Sequence, residues 1–180
     1  MGKRSFFPRL ALVNLVRNSR YYGPYLLSCG ALAAMYYILR FLTWNEVIQM
    51  VRGAAYLQVM MSIGCFVVAL FSTVLLLYAN SFVMKRRQKE LGLYNILGLE
   101  KRHIAALCFW ETLLCAAVVI PGGIAAGILL SKLILLLLLK LVQIPVQFGF
   151  SVSVRGVGET AALLGVLFLL ALLWNLLRLG

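Results

Sequence analysis

The chain has 180 residues, 63% of them hydrophobic, with a mean hydropathy of +0.98. An ordinary soluble domain is about half apolar, so the composition excludes that class and predicts an integral membrane protein. The formal charge of +12, from 17 basic against 5 acidic residues, sits beside apolar runs and lacks any aromatic-basic reading motif, which points to anionic membrane lipids and not to nucleic acid.

The chemistry of the side chains narrows the function further. Cys29, Cys65, Cys108 and Cys115 lie in apolar runs without a C-x-x-C and read as small buried hydrophobes. The single histidine, His103, has no ligand neighbour, so no metal site is expected. There is no Asp, no nucleophile elbow and no phosphate-binding G-x-x-x-x-G-K-[ST] in the 180 residues. Neither a catalytic constellation nor a cofactor is expected, and any ATP hydrolysis belongs to a separate chain.

In chain order, residues 1–21 carry Lys3, Arg4, Arg9, Arg17 and Arg20 and do not resemble a secretory signal. With Pro8 near its start, this stretch predicts a short basic helix on the membrane surface. Tyr25 to Leu42 is the first span, reaching about 27 Å at 1.5 Å per residue. Tyr21, Tyr22, Tyr25 and Trp44 make its interfacial belts, and Arg40 is placed to snorkel to headgroups. Residues 43–55 form a short external loop, and 56–81 the second span, long enough to tilt or protrude. From Ile104 to Val142 the sequence is mostly apolar, broken at Pro121 to Gly123, where a kink is invited. A single span to about Ser131 followed by an interfacial helix is favoured over two spans, because two would place Lys132 in hydrocarbon. Gly123 and Gly127 form a G-x-x-x-G suited to close helix packing or to a role in coupling. Residues 132–159 are read as external, with an extended stretch over 143–158, and 160–177 is the fourth span. Five basic residues precede the first span and six lie between spans two and three, so both termini are placed in the cytoplasm.

The segment 82–103 is the one long charged interruption. Lys89 to Leu97 holds good helix formers, with Leu91, Tyr94 and Leu97 at helical spacing and Gly98 where a left-handed cap belongs. This predicts a short helix between two spans with one apolar face and no lipid to cover it, hence a protein partner. Glu111 is the only carboxylate well inside an apolar run. Two readings stand for it: a structural ion pair with a basic neighbour or headgroup water, and a role in coupling motion.

The run R-x-K-E-L-G-L-Y-x-I-L-G-L from Arg87 to Leu99, between two apolar segments, resembles the signature of the FtsX-like (MacB-type) ABC transporter permeases. The opening F-P-R-L-A-L-x-N-L-x-R-N, from Phe7 to Asn18, is similar to the bacitracin-resistance branch. The resemblance implies an all-α integral membrane protein, with residues 22–180 as the permease domain and a cytoplasmic coupling helix between spans two and three. It assigns ATPase contact to Lys89, Glu90, Leu91, Gly92, Leu93, Tyr94, Leu97 and Gly98. It implies a bacterial plasma-membrane location, a cytoplasmic ABC ATPase dimer, a sensor histidine kinase as a further partner, and cell-wall-active peptide antibiotics or lipid-bound cargo as substrates. The alternative within the family is a non-transporting transducer that controls an external partner. Permeases of this branch continue with further spans and a large external domain, so these residues correspond to the N-terminal four-span part of such a permease, expected as a fragment, a truncated frame or half of a split permease.

Overall fold

In lipid every backbone polar group needs an internal partner, and a single chain of this length with long apolar runs satisfies that need by forming helices. The computed structural model describes residues 3–45, 53–96, 101–141 and 152–179, and among these the regular structure is all helical. The elements are α1 (Lys3–Arg17), α2 (Ser19–Thr43), α3 (Ala54–Ile96), α4 (Lys101–Leu141) and α5 (Val154–Leu179). Four of them are long and apolar enough to cross a membrane: α2 over Ser19–Thr43, α3 over Ala54–Arg87, α4 over Arg102–Leu138 and α5 over Val154–Leu177. The chain is a multi-pass membrane protein.

Helix boundaries depart from the sequence reading in three places. The charged segment is not a separate helix up to Ile96; it is the continuation of α3. Nothing between Ser81 and Glu90 breaks a helix, and Lys85–Arg86–Arg87–Gln88–Lys89–Glu90 are all good helix formers. The P-G-G run lies inside one unbroken α4, since a proline in an apolar helix removes only one backbone bond, which neighbouring groups can compensate. Residues 154–158, expected to be extended, are the first turns of α5. The remainder of that extended stretch, most of the loop 43–55, and Leu97 and Gly98 lie outside the described residues.

By their contacts the helices gather into two compact units. One comprises Cys29–Ser72 and Ile120–Leu164. Its centre is the approach of α4 to α2. A Cβ on Gly123 would lie 2.4 Å from Ala33 Cβ and 3.0 Å from Gly30 O, and one on Gly127 would lie 2.9 Å from the Tyr37 ring. Small residues are needed on both helices because lipid offers no hydrophobic drive to association, so stability comes from van der Waals contact. Tyr37, Phe41, Leu42 and Ile124 build the core beside this approach. Arg40 does not reach for headgroups alone: its Nε lies 2.8 Å from Glu159 Oε2 and donates to the Tyr36 hydroxyl. Arg155 donates to the other Glu159 oxygen at 3.1 Å and lies over the Trp44 ring, so the end of α2 is tied to the first turns of α5.

Candidate functional site

The other unit comprises Met1–Ser28, Thr73–Val119 and Gly165–Gly180. Here the helices bury narrow stripes at helical spacing: Ala11, Asn14, Tyr22 and Tyr25 on α1 and α2, Leu76, Asn80, Val83 and Arg87 on α3, and Ile104, Cys108, Glu111 and Cys115 on α4. The stripes combine apolar residues with buried polar ones, while many other leucines, valines and phenylalanines face outward. That pattern follows from the solvent: lipid solvates an apolar side chain as well as another helix does, but leaves a polar one unsatisfied.

Arg87 and Glu111 are the only charged residues buried among the described ones, at 2% and 4% exposure. They form an ion pair between Arg87 Nη1 and Glu111 Oε2. The same Nη1 donates to the Tyr22 hydroxyl at 2.8 Å, and that hydroxyl donates to Glu111 Oε2 at 3.4 Å. Asn14 Nδ2 donates to Glu111 Oε1 at 3.3 Å. Four helices therefore each supply one side chain: Asn14 from α1, Tyr22 from α2, Arg87 from α3 and Glu111 from α4. The two charges cancel, and both carboxylate oxygens have donors, which offsets the desolvation of each ion. Removing one partner strands the other charge at a cost of about 3–5 kcal/mol, whereas replacing both by apolar side chains of similar volume is often neutral.

The polar centre extends to α5. Asn80 and Asn175 exchange two amide hydrogen bonds, at 2.8 and 3.2 Å, and both are buried. A cavity of about 20 Å³ lies among Tyr22, Asn80, Glu111, Thr112, Cys115 and Asn175, room for a single water molecule. Met84, Ile104 and Cys108 pack α3 against α4 on the apolar side of the ion pair. Lys85 and Arg86 point outward instead, Arg86 over the Phe82 ring.

The residues picked out from sequence are divided between the two units. Lys89, Glu90, Leu91, Gly92, Leu93 and Tyr94 continue α3 directly beyond Arg87. Gly92 is exposed and has open space where a Cβ would stand. Glu111 meets a basic neighbour, as the structural reading of it expected, and that neighbour comes from the charged segment itself. Gly123 and Gly127 belong to the other unit and pack on α2. Sequence reasoning missed Arg87, Asn14 and Tyr22 as site residues. Arg87 was hidden in a run of solvated cations, although it is the seventh residue after Asn80 and so falls on the same face as that amide.

Residues 62–180 match the model of the FtsX-like permease C-terminal family. The chain is 30% identical over 171 residues to the bacitracin export permease protein BceB of Bacillus subtilis strain 168, covering 93% of this chain and 26% of that protein. It is 28% identical over 172 residues to the bacitracin export permease protein BceB of Halalkalibacterium halodurans, with the same coverage. It is 25% identical over 171 residues to an uncharacterized ABC transporter permease, YvcS, of Bacillus subtilis. The chain thus spans about a quarter of the length of each of these relatives. On the strength of the family match over most of its length, and of the helical membrane architecture that accompanies it, the chain belongs to the FtsX-like permease family.

Proposed function

We propose that this chain is the transmembrane part of an ABC transporter permease that couples ATP hydrolysis by a separate cytoplasmic ATPase dimer to export of a cell-wall-active peptide antibiotic. The names of the relatives support the cargo class, bacitracin among them, over the transducer alternative. The observation that carries the mechanism is the unbroken course of α3 from Ala54 to Ile96. A helix of 43 residues spans about 65 Å, far more than the ~30 Å hydrocarbon thickness, so its end projects beyond the membrane. A rigid projecting end transmits a push into the span, where a flexible linker would absorb it.

The residues 89–98 are the ATPase contact in this reading, with Leu91, Leu93, Tyr94 and Leu97 as apolar anchors and Glu90 setting orientation. The basic bias supports a cytoplasmic position for this end and for both termini, where exposed Lys85 and Arg86 would meet anionic headgroups. A sensor histidine kinase is a further proposed partner. Co-purification of the ATPase with the full-length permease is the test. Glu90→Lys, Tyr94→Ala and Gly98→Val are each expected to reduce ATPase recovery or bacitracin resistance while membrane insertion is unchanged. An exposed, unpartnered segment would tolerate all three, since such changes usually cost less than about 0.5 kcal/mol; wild-type recovery and resistance in all three refutes the docking reading.

A further inference from the structure

We infer that the buried cluster Asn14–Tyr22–Arg87–Glu111 is the point at which displacement of the segment 88–100 is passed to α1 and α2, with Arg87 and Glu111 as positioning residues. The inference rests on the docking reading of 89–98 and adds the route by which a push there reaches the bundle.

Position is the first argument. Arg87 lies on the same helix as Lys89, two residues before it, and about 13 Å along the axis from Ile96. Glu111 lies on α4, the helix that follows the segment. The ion pair therefore joins the two arms of the α3–α4 hairpin on the buried side, whereas Lys85 and Arg86 lie exposed on the outward side. Connectivity is the second argument. The Tyr22 hydroxyl accepts from Arg87 and donates to Glu111, so α2 is bonded to both arms of the hairpin at once. The second carboxylate oxygen takes the Asn14 amide, which brings in α1. Burial is the third. In a water-poor site an ion pair yields little to sliding, because separating its partners exposes each to an unfavourable medium. Movement of α3 therefore carries α4, α2 and α1 with it. The basic N-terminal helix is bound to this device through a buried amide and is more than an electrostatic anchor on the lipid surface.

The test uses the full-length permease with its ATPase in liposomes. Two quantities are read separately: retention of the ATPase on the immobilised permease, and permease-dependent stimulation of ATP hydrolysis. The paired variant Arg87→Met/Glu111→Leu removes the polar cluster without stranding a charge. It is expected to insert and to retain the ATPase as wild type does, while stimulation falls about tenfold, within the usual range of site-to-site coupling. The exchange Arg87→Glu/Glu111→Arg is expected to recover most of that loss. Wild-type stimulation in the paired variant overturns the cluster as a transmission point and leaves the docking reading standing. Loss of ATPase retention in the paired variant also overturns it, since that assigns the pair to docking. Failure of the wild-type permease to retain the ATPase removes the docking reading and this inference together. Tyr22→Phe deletes one hydroxyl and keeps the ring, so it decides the matter should the paired variant not insert: reduced stimulation with full retention supports the inference, and unchanged stimulation overturns it.

Discussion

Gly122, Gly123 and Gly127 on α4 show how much a single methyl group decides. A Cβ at Gly123 would stand 2.4 Å from the Ala33 Cβ and 3.0 Å from the Gly30 carbonyl oxygen, neither of which is the end of a flexible chain. At Gly127 the nearest atom is a ring carbon of Tyr37 at 2.9 Å, and at Gly122 there is nothing within 4 Å. Gly123→Ala is therefore expected to lower stability by about 1–3 kcal/mol through overpacking against backbone. Gly127→Ala should cost less, because its tightest contacts, Tyr37 at 2.9 Å and the Ala34 Cα at 3.2 Å, are longer than those at Gly123, and Gly127→Leu should cost more than either. Gly122→Ala should be neutral or slightly stabilising, since alanine is favoured over glycine in a helix by up to about 1 kcal/mol. Thermal unfolding of the four variants in detergent gives the order directly. An equal response at Gly122 and Gly123 would show that the α2–α4 approach does not depend on the missing side chain.

At the scale of the element, the feature that matters most is that α3 does not stop at the membrane surface. Its apolar part, its buried ion-pair residue and the charged segment as far as Ile96 lie on one helix. Continuity makes a sharp prediction about Gln88, which lies between Arg87 and the proposed contact. Gln88→Pro removes one backbone bond and drives the ring toward the carbonyl of Met84, at a cost of about 3 kcal/mol or more in a helix interior. It alters no proposed contact residue. ATPase recovery should therefore be close to wild type while bacitracin resistance is lost. Full resistance with Gln88→Pro would mean that rigidity of this helix is not used. The α4 helix shows the complementary case, a proline at 121 accommodated in a long apolar helix whose exposed face it occupies.

For the whole molecule, the arrangement to be checked is orientation across the membrane. Cys29, Cys65, Cys108 and Cys115 are all buried, and a background lacking them permits single reporters. Gln88→Cys should be inaccessible to an impermeant thiol reagent added outside intact cells, whereas Ile48→Cys and Phe150→Cys should react. Labelling at 88 from outside would reverse the topology and remove the ATPase contact from the cytoplasm. Agreement would place the charged end of α3 and the N-terminal helix on the side where anionic lipids and ATP are found.

Membrane class and the number of apolar spans were legible in the sequence, because each depends on local hydropathy and run length. The position of Lys132 led the sequence reading to end the third span near Ser131 with a separate interfacial helix after it, whereas α4 runs unbroken to Leu141. Which face of each helix turns inward was not legible by the usual route. These helices are apolar on nearly every side, so no amphipathic stripe marks the core. The usable signal was the reverse one: in lipid the few polar residues of a span mark its interior, and Asn14, Asn80, Arg87, Glu111 and Asn175 are all buried. Arg86 and Arg87 show the limit of even that rule. They are identical neighbours in sequence, yet one lies exposed beside Phe82 and the other is buried against Glu111, 24 residues further on. Only tertiary structure separates them, because the choice is made by the helix rotation that lets a single guanidinium reach a carboxylate on α4 and a hydroxyl on α2 at once.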